Sequence, residues 1–288
     1  MIRIALPNKG RLAEGTRSLL EQAGLEPDPQ RSERALQAPL GGGLLGLFVR
    51  ANDIPELVAD GAADLGITGR DLVAESGREL EVALDLGFGR CRLAVAARED
   101  AGIHSAADVP AGARVATSFP NLAGRYFRTR GNEVVLVPVS GAAELAPHLG
   151  VADVIVDLVS TGSTLKVNGL REVDTVLEST AVLVTRPGFA VEDAHARPVR
   201  ELTTALSSVL AAKDKRYLMA NVPRAALSAI RKILPGISGP TIVDVLDGGA
   251  LVAAHAVVDR GDVYRLIAEL KSIGAEGILV TRIERLMP

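Results

Sequence analysis

Residues 153–165 read Asp153-Val154-Ile155-Val156-Asp157-Leu158-Val159-Ser160-Thr161-Gly162-Ser163-Thr164-Leu165. A run of buried-strand character, Asp153–Asp157, ends in a carboxylate, and the chain then turns through hydroxyls and a glycine. The same strand-to-loop step recurs from the first residue. Ile2–Leu6 gives way to Pro7-Asn8-Lys9-Gly10, followed by a helical pattern with Leu12, Leu19, Leu20 and Ala23 on one face and Gly24 as its stop. Leu44–Val49 leads to Asp53, expected to cap a helix with Pro55 in its first turn. Asp64–Thr68, Leu93–Ala97, Arg114–Thr117, Val134–Val139 and Ala181–Thr185 read as further strands, and 199–212 as a helix. Strands alternating with helices predict an α/β fold with largely parallel sheets and ligands at the strands' carboxyl ends.

After Lys213 the pattern changes. Tyr217–Asn221 reads as a strand and Pro223 opens a helix to about Leu234. Thr241–Leu246 and Leu251–Val258 are strands joined by a hairpin turn at Asp247-Gly248-Gly249, Asp262 caps a helix closed by Gly274, and Gly277–Ile283 is the last strand. The order β-α-β-β-α-β is the ferredoxin-like arrangement. Three domains are therefore expected: lobe I from 1–92 with 177–212, lobe II from 93–176, and a third domain from 213–288.

Composition limits what these cores are and do. The chain has 288 residues, 48% of them hydrophobic but only 3% aromatic and none Trp, so the cores are aliphatic. A net charge of −3 gives no global basic field, which argues against a dedicated nucleic-acid binder. One cysteine, Cys91, excludes an intramolecular disulfide and a multi-cysteine zinc site. The first residues, MIRIALPNKGRLAEG, lack the apolar core of an export signal, and no apolar run approaches a membrane span; a cytoplasmic protein is expected.

The turn after Asp157 suits a sugar phosphate. Gly162 lets backbone N–H groups approach an anion, Ser160, Thr161, Ser163 and Thr164 offer hydroxyls, and Asp157 can accept hydrogen bonds from a ribose. The same residues also read as a polar turn capping a helix. Lys9-Gly10-Arg11 at a helix start, Arg50 at a strand end and Arg92 entering a strand suit a common polyphosphate site, since an Arg fork binds oxygens two at a time. Each of these cations alone also reads as a solvated surface charge. In Gly66-Ile67-Thr68-Gly69-Arg70-Asp71 a glycine could admit a flat base and Asp71 accept a hydrogen bond; a plain turn fits the spacing as well. His104, His148, His195 and His255 fall in no metal-like or triad-like spacing. The chemistry therefore points to binding and charge rather than a protein nucleophile.

From Glu144 through Gly150-Val151-Ala152 to Leu165, the segment resembles the signature of the ATP phosphoribosyltransferase family in its long form. Lys9–Leu12, Arg50–Pro55, Gly66–Gly69, Cys91–Leu93, Ala116–Pro120, Pro240–Ile242 and Ser272–Ala275 extend the resemblance over essentially the whole chain. It implies a two-lobed catalytic part like a type II periplasmic binding protein, followed by a ferredoxin-like regulatory domain. It further implies that Asp157, Leu158, Val159, Ser160, Thr161, Gly162, Ser163 and Thr164 hold phosphoribosyl pyrophosphate. Lys9, Gly10, Arg11, Arg50, Gly69, Asp71 and Arg92 then serve ATP, with Asp157, Glu144 and Arg11 at the reaction. Mg²⁺ would be held mainly by substrate phosphates with no protein ligand assigned. Histidine would inhibit at a site including Asn221, Thr241 and Ala275, and the chain would form dimers and hexamers, with no nucleic-acid or membrane partner. Asn221 stands where related chains can have an acid or a histidine. A two-lobed solute-binding protein, an amino-acid sensor and a transferase acting on another acceptor are the rival readings.

Overall fold

The computed structural model describes residues 1–26, 35–189, 193–245 and 249–287. The chain separates into two compact units, Met1–Thr203 and Thr204–Pro288. The first unit is built on two sheets. In chain order it contains β1 (Ile2–Pro7), α1 (Ala13–Gln22), β2 (Gln37–Gly41), β3 (Leu44–Val49), α2 (Ile54–Ala59), β4 (Leu65–Gly69), α3 (Arg70–Ser76) and β5 (Glu81–Asp85). It continues with β6 (Cys91–Arg98), β7 (Arg114–Thr117), α4 (Pro120–Thr129), β8 (Val135–Pro138), β9 (Val154–Val159), α5 (Ser163–Val167), β10 (Leu170–Ser179) and β11 (Ala181–Thr185). Helix α6 (Asp193–Ala212) follows and crosses the boundary between the units.

The six-stranded sheet runs β2-β3-β1-β4-β11-β5 and the five-stranded sheet β10-β6-β9-β7-β8. β1, β3 and β4 are parallel, as are β7, β8 and β9, so each sheet gathers several carboxyl ends on one edge. The chain passes from the first sheet to the second between β5 and β6 and returns between β10 and β11. This is the two-lobed, type II periplasmic-binding-protein-like arrangement.

Lobe II shows why its strands read as continuous apolar runs. Leu93, Val95, Ala97, Val115, Val154 and Val156 pack one face with Phe127 of α4, while Ala94, Ala96, Ala116, Ile155 and Val159 pack the other with Leu165 and Leu170. Both faces are covered, so a period of two never shows a polar side. In lobe I, Gly66 on the fully buried β4 gives α2 its place. A Cβ there would lie 2.5 Å from Ile54 Cγ2 and 2.9 Å from Val58 Cγ2, far inside contact distance. Gly66 thus serves packing, not a base.

The second unit, beyond the end of α6, has β12 (Lys215–Pro223), α7 (Leu227–Ile233), β13 (Thr241–Asp244), β14 (Leu251–Asp259), α8 (Val263–Ser272) and β15 (Glu276–Arg282). Its sheet order, β13-β14-β12-β15, is all antiparallel and is the ferredoxin-like topology. Leu218, Ala220 and Val222 of β12 and Val252, Ala254 and Ala256 of β14 share a core with Ile230, Leu266 and Leu270 of the helices and with Leu234, just past the end of α7. The hairpin expected at Asp247-Gly248-Gly249 falls partly on residues 246–248, outside the described residues.

Several local readings need correction. Asp53 and Asp262 stand at the helix starts but make no side-chain cap bond, because both adopt helical dihedrals; Asp262 pairs with Arg265 instead. Helix α6 begins at Asp193, ahead of Pro198, rather than at 199. Three strands, β2, β5 and β10, were not expected.

Candidate active site

The loop after β9 is the site's best-formed part. Glu144, Asp157, Leu158, Val159, Ser160, Thr161, Gly162, Thr164 and Leu165 line a pocket of about 140 Å³. That is smaller than the roughly 300–1,000 Å³ of sites enclosing a whole drug-sized ligand, so it suits one end of a larger substrate. Gly162 takes φ +80°, a left-handed turn that favours glycine and releases the chain into α5. Thr161 Oγ1 and Ser163 Oγ lie 2.9 Å apart. Among the described residues, the exposed hydroxyls of Ser160 and Thr164 have no protein partner.

Asp157 points inward and accepts the Leu158 N–H at 2.7 Å. Burial pushes its carboxyl above the ordinary aspartate range; the Leu158 N–H opposes this, and the charge of Glu144 adds to it. Glu144 sits on a short 3₁₀ turn, Ala143–Leu145, entered through Ala142 at φ +51°. A left-handed alanine is costly, and here it turns the acid toward Asp157.

The carboxyl edge of lobe I holds a second cluster. Pro7 and Val49 are register partners and the Asn8 N–H bonds Val49 O at 2.8 Å, so the segments bearing Lys9 and Arg50 leave the sheet side by side. Thr68 Oγ1 donates to Ala51 O at 2.8 Å, tying the Arg50 loop to β4. Lys9 and Arg50 are exposed and, among the described residues, have no carboxylate partner. Gly10, at φ +84°, shapes the turn between them and α1.

Arg11 is held differently. Its Nη2 reaches Asp71 Oδ2 at 3.2 Å and its Nη1 donates to Gly89 O. Asp71 is fully buried and takes a second hydrogen bond from Ser179 Oγ at 2.6 Å. A Cβ on Gly69 would lie 2.0 Å from Asp71 Oδ1. The space the sequence offered to a base is therefore filled by the Asp71 carboxylate, which faces Arg11. Three residues beyond Gly89, Arg92 forms a forked pair with Glu172, at 2.6 Å to Oε1 and 2.5 Å to Oε2, and reaches Ser160 O at 3.4 Å. Arg92 thus stands beside the Asp157 loop. Its hydrogen bonds hold the Glu172 carboxyl below the usual glutamate range. Residues 89–92 link the two clusters. The sequence reading missed Ser179 and Glu172, and no local pattern marks either.

In the second unit, Asn221 on β12 pairs with Ala253 and with Glu276 across its two ladders. Thr241, on β13, pairs with His255 of β14, and β14 lies between β13 and β12. Ala275 is buried in the core. Asn221 and Thr241 are thus two strand spacings apart, on the order of 10 Å, and the three residues do not stand side by side within this unit. Of the histidines, His104 meets Arg171, His148 meets Asn168 O and His255 meets the Tyr217 hydroxyl.

The family model described as ATP phosphoribosyltransferase matches residues 50–208, and the one described as the HisG C-terminal domain matches residues 212–285. The ATP phosphoribosyltransferase of Gemmatimonas aurantiaca is 60% identical over the full length of both chains. That of Halorubrum lacusprofundi is 48% identical, over 99% of this chain and 100% of its own. Among solved structures, the ATP phosphoribosyl transferase (HisG:HisZ) complex from Thermotoga maritima superposes with a TM-score of 0.62 at 29% identity, covering 72% of this chain and 99% of that one. Family model, full-length similarity and fold agree: the chain belongs to the ATP phosphoribosyltransferase family.

Proposed function

We propose that the chain condenses ATP with phosphoribosyl pyrophosphate, giving N1-(5-phosphoribosyl)-ATP and pyrophosphate, the first step of histidine biosynthesis. The observation that supports it most directly is the Asp157–Thr164 pocket, with its left-handed Gly162 and unpartnered hydroxyls, standing beside Arg92. In this reading the loop N–H groups and the Thr161, Ser163 and Thr164 hydroxyls take the 5-phosphate, and Asp157 takes the ribose. Lys9, Gly10, Arg11, Arg50 and Arg92 receive polyphosphate, with Gly69 and Asp71 acting behind Arg11.

Adenine N1 forms a bond to the anomeric carbon while the bond from that carbon to the pyrophosphate oxygen breaks. Positive charge builds on the ribose ring as in other glycosyl transfers, and Asp157 and Glu144 face the place where it develops. No protein base is needed, because N1 carries a lone pair; holding two anionic substrates together is a large part of the catalysis. Among the described residues no three His, Cys, Asp or Glu side chains form a metal cage. In this reading Mg²⁺ is held mainly by the substrate phosphates, with no protein ligand assigned. When bound, it would neutralise the departing pyrophosphate.

The test is pyrophosphate release with both substrates, with and without Mg²⁺ and histidine. Release should require both substrates and Mg²⁺ and should fall with histidine. No release with both substrates present removes the reading and leaves a two-lobed binding protein. Replacing Thr164 by alanine is expected to raise the KM for phosphoribosyl pyrophosphate about three- to tenfold, the loss of one hydroxyl donor; an unchanged KM takes Thr164 out of the loop site.

The third domain, proposed from 213 onward, would bind histidine near Asn221, Thr241 and Ala275, with a second copy supplying what one unit does not bring together. Asn221→Asp should lower the histidine inhibition constant about three- to tenfold by adding a charge-assisted bond to the amino group. An equal or higher constant refutes that contact. Lobe boundaries at 1–92 with 177–212 and at 93–176, assembly as dimers and hexamers, and a cytoplasmic site of action complete the proposal. No helix among the described residues is long and apolar enough to cross a membrane.

A further inference from the structure

Helix α3 begins without a cap of its own. Gly69, at its N-cap, has no side chain. Its first two N–H groups go instead to chain more than a hundred residues later. The Arg70 N–H bonds Thr180 O at 3.0 Å, and the Asp71 N–H bonds Ser179 Oγ at 3.0 Å. The Ser179 hydroxyl then turns back and donates to Asp71 Oδ1 at 2.6 Å. One hydroxyl thus accepts from the backbone and donates to the side chain of the same residue. That pair of hydrogen bonds fixes the carboxylate rotamer and leaves Oδ2 facing Arg11 at 3.2 Å. Ser179 is 4% exposed and Asp71 fully buried, so water cannot readily stand in for either bond.

Ser179 also occupies a particular point of the fold. It is opposite Cys91 in the β6–β10 ladder of lobe II. Two residues later, Ala181 is opposite Gly69 in the β4–β11 ladder of lobe I. The hydroxyl therefore sits where the chain passes between the lobes.

We propose that Ser179 is a positioning residue for the reaction: acting through Asp71, it fixes the guanidinium of Arg11 and ties its placement to the lobe crossing. This rests on the reading of Arg11 as a ligand of the ATP phosphates. Without the hydroxyl, the carboxylate and guanidinium turn together away from the substrate.

Steady-state kinetics with both substrates varied tests it. Ser179→Ala should raise the KM for ATP about five- to tenfold and leave that for phosphoribosyl pyrophosphate within about twofold. Ser179→Thr, which keeps the hydroxyl, should recover most of the loss. Added to Arg11→Ala, Ser179→Ala should cost nothing further, since both act on one contact. If Ser179→Ala does not fold, Asp71→Asn tests the same link from its other end and should raise the KM for ATP in the same way; an unchanged KM for ATP there ends the positioning link. An Arg11→Ala enzyme with wild-type kinetics would end the Arg11 reading and this proposal with it. An impaired Arg11→Ala enzyme on which Ser179→Ala acts independently, or a Ser179→Ala loss shared equally by both substrates, would end the positioning link alone.

Discussion

Arg11→Ala is expected to lower kcat/KM for ATP about 10- to 10²-fold, the loss of a charge-assisted contact to the ATP phosphates worth about 1.5–3 kcal/mol. Its side chain is only 28% exposed and its two ends are fixed by Asp71 and Gly89 O, so no neighbour takes its place. The variant should also be less stable, by about 1–3 kcal/mol, because Asp71 is left buried with a charge and no cation; partial exposure of Arg11 keeps this below the value for a fully buried pair. The two effects separate cleanly. Adding Asp71→Asn removes the orphaned charge and should restore most of the melting temperature, while turnover stays low. If restoring stability restored turnover, Arg11 would be a structural partner of Asp71 and nothing more. Wild-type kinetics in the single variant would make it a surface cation.

Asp157→Asn should move stability and activity in opposite directions. Burial, with the nearby Glu144 charge, holds the Asp157 carboxyl above its ordinary range. A group whose folded pKa is raised stabilises most when protonated, below its unfolded pKa, and that contribution is lost as pH rises through the folded pKa. Asparagine never charges. The variant should therefore melt higher than the wild type at neutral and alkaline pH, and the advantage should vanish as pH falls below the ordinary aspartate range. Its kcat should drop about 10²-fold, because the negative charge facing the ribose is gone. Melting curves across pH and pyrophosphate release check both halves. A lower melting temperature at neutral pH, or a kcat within about twofold of wild type, would overturn the role given to Asp157.

The interior strands were legible because they are apolar on both faces and end in turn residues. The three unexpected strands all lie at sheet edges. β2 contains Pro39, which lacks the donor an interior strand needs, and β5 is largely exposed or half-exposed. β10 has register shifts between Glu172 and Asp174 and again between Thr175 and Leu177. Each shift breaks the alternation of apolar residues by which a strand is recognised. The pocket loop was legible for the opposite reason: Asp157 through Thr164 are contiguous, and Glu144 precedes them by a short interval. The Arg11–Asp71–Ser179 network was not. Its members come from α1's approach, α3's first turn and the lobe crossing, and no pattern along the chain relates them.

The return of the chain from lobe II has a consequence for how the protein is made. β4 pairs on one side with β1, which precedes it, and on the other with β11, which follows more than a hundred residues later. During synthesis from the N-terminus, the six-stranded sheet waits half-built, one flank of a fully buried strand bare, until all of lobe II has left the ribosome. Lobe II has its strands complete before β11 is even made. The lobe inserted in the middle of the other can thus be finished first.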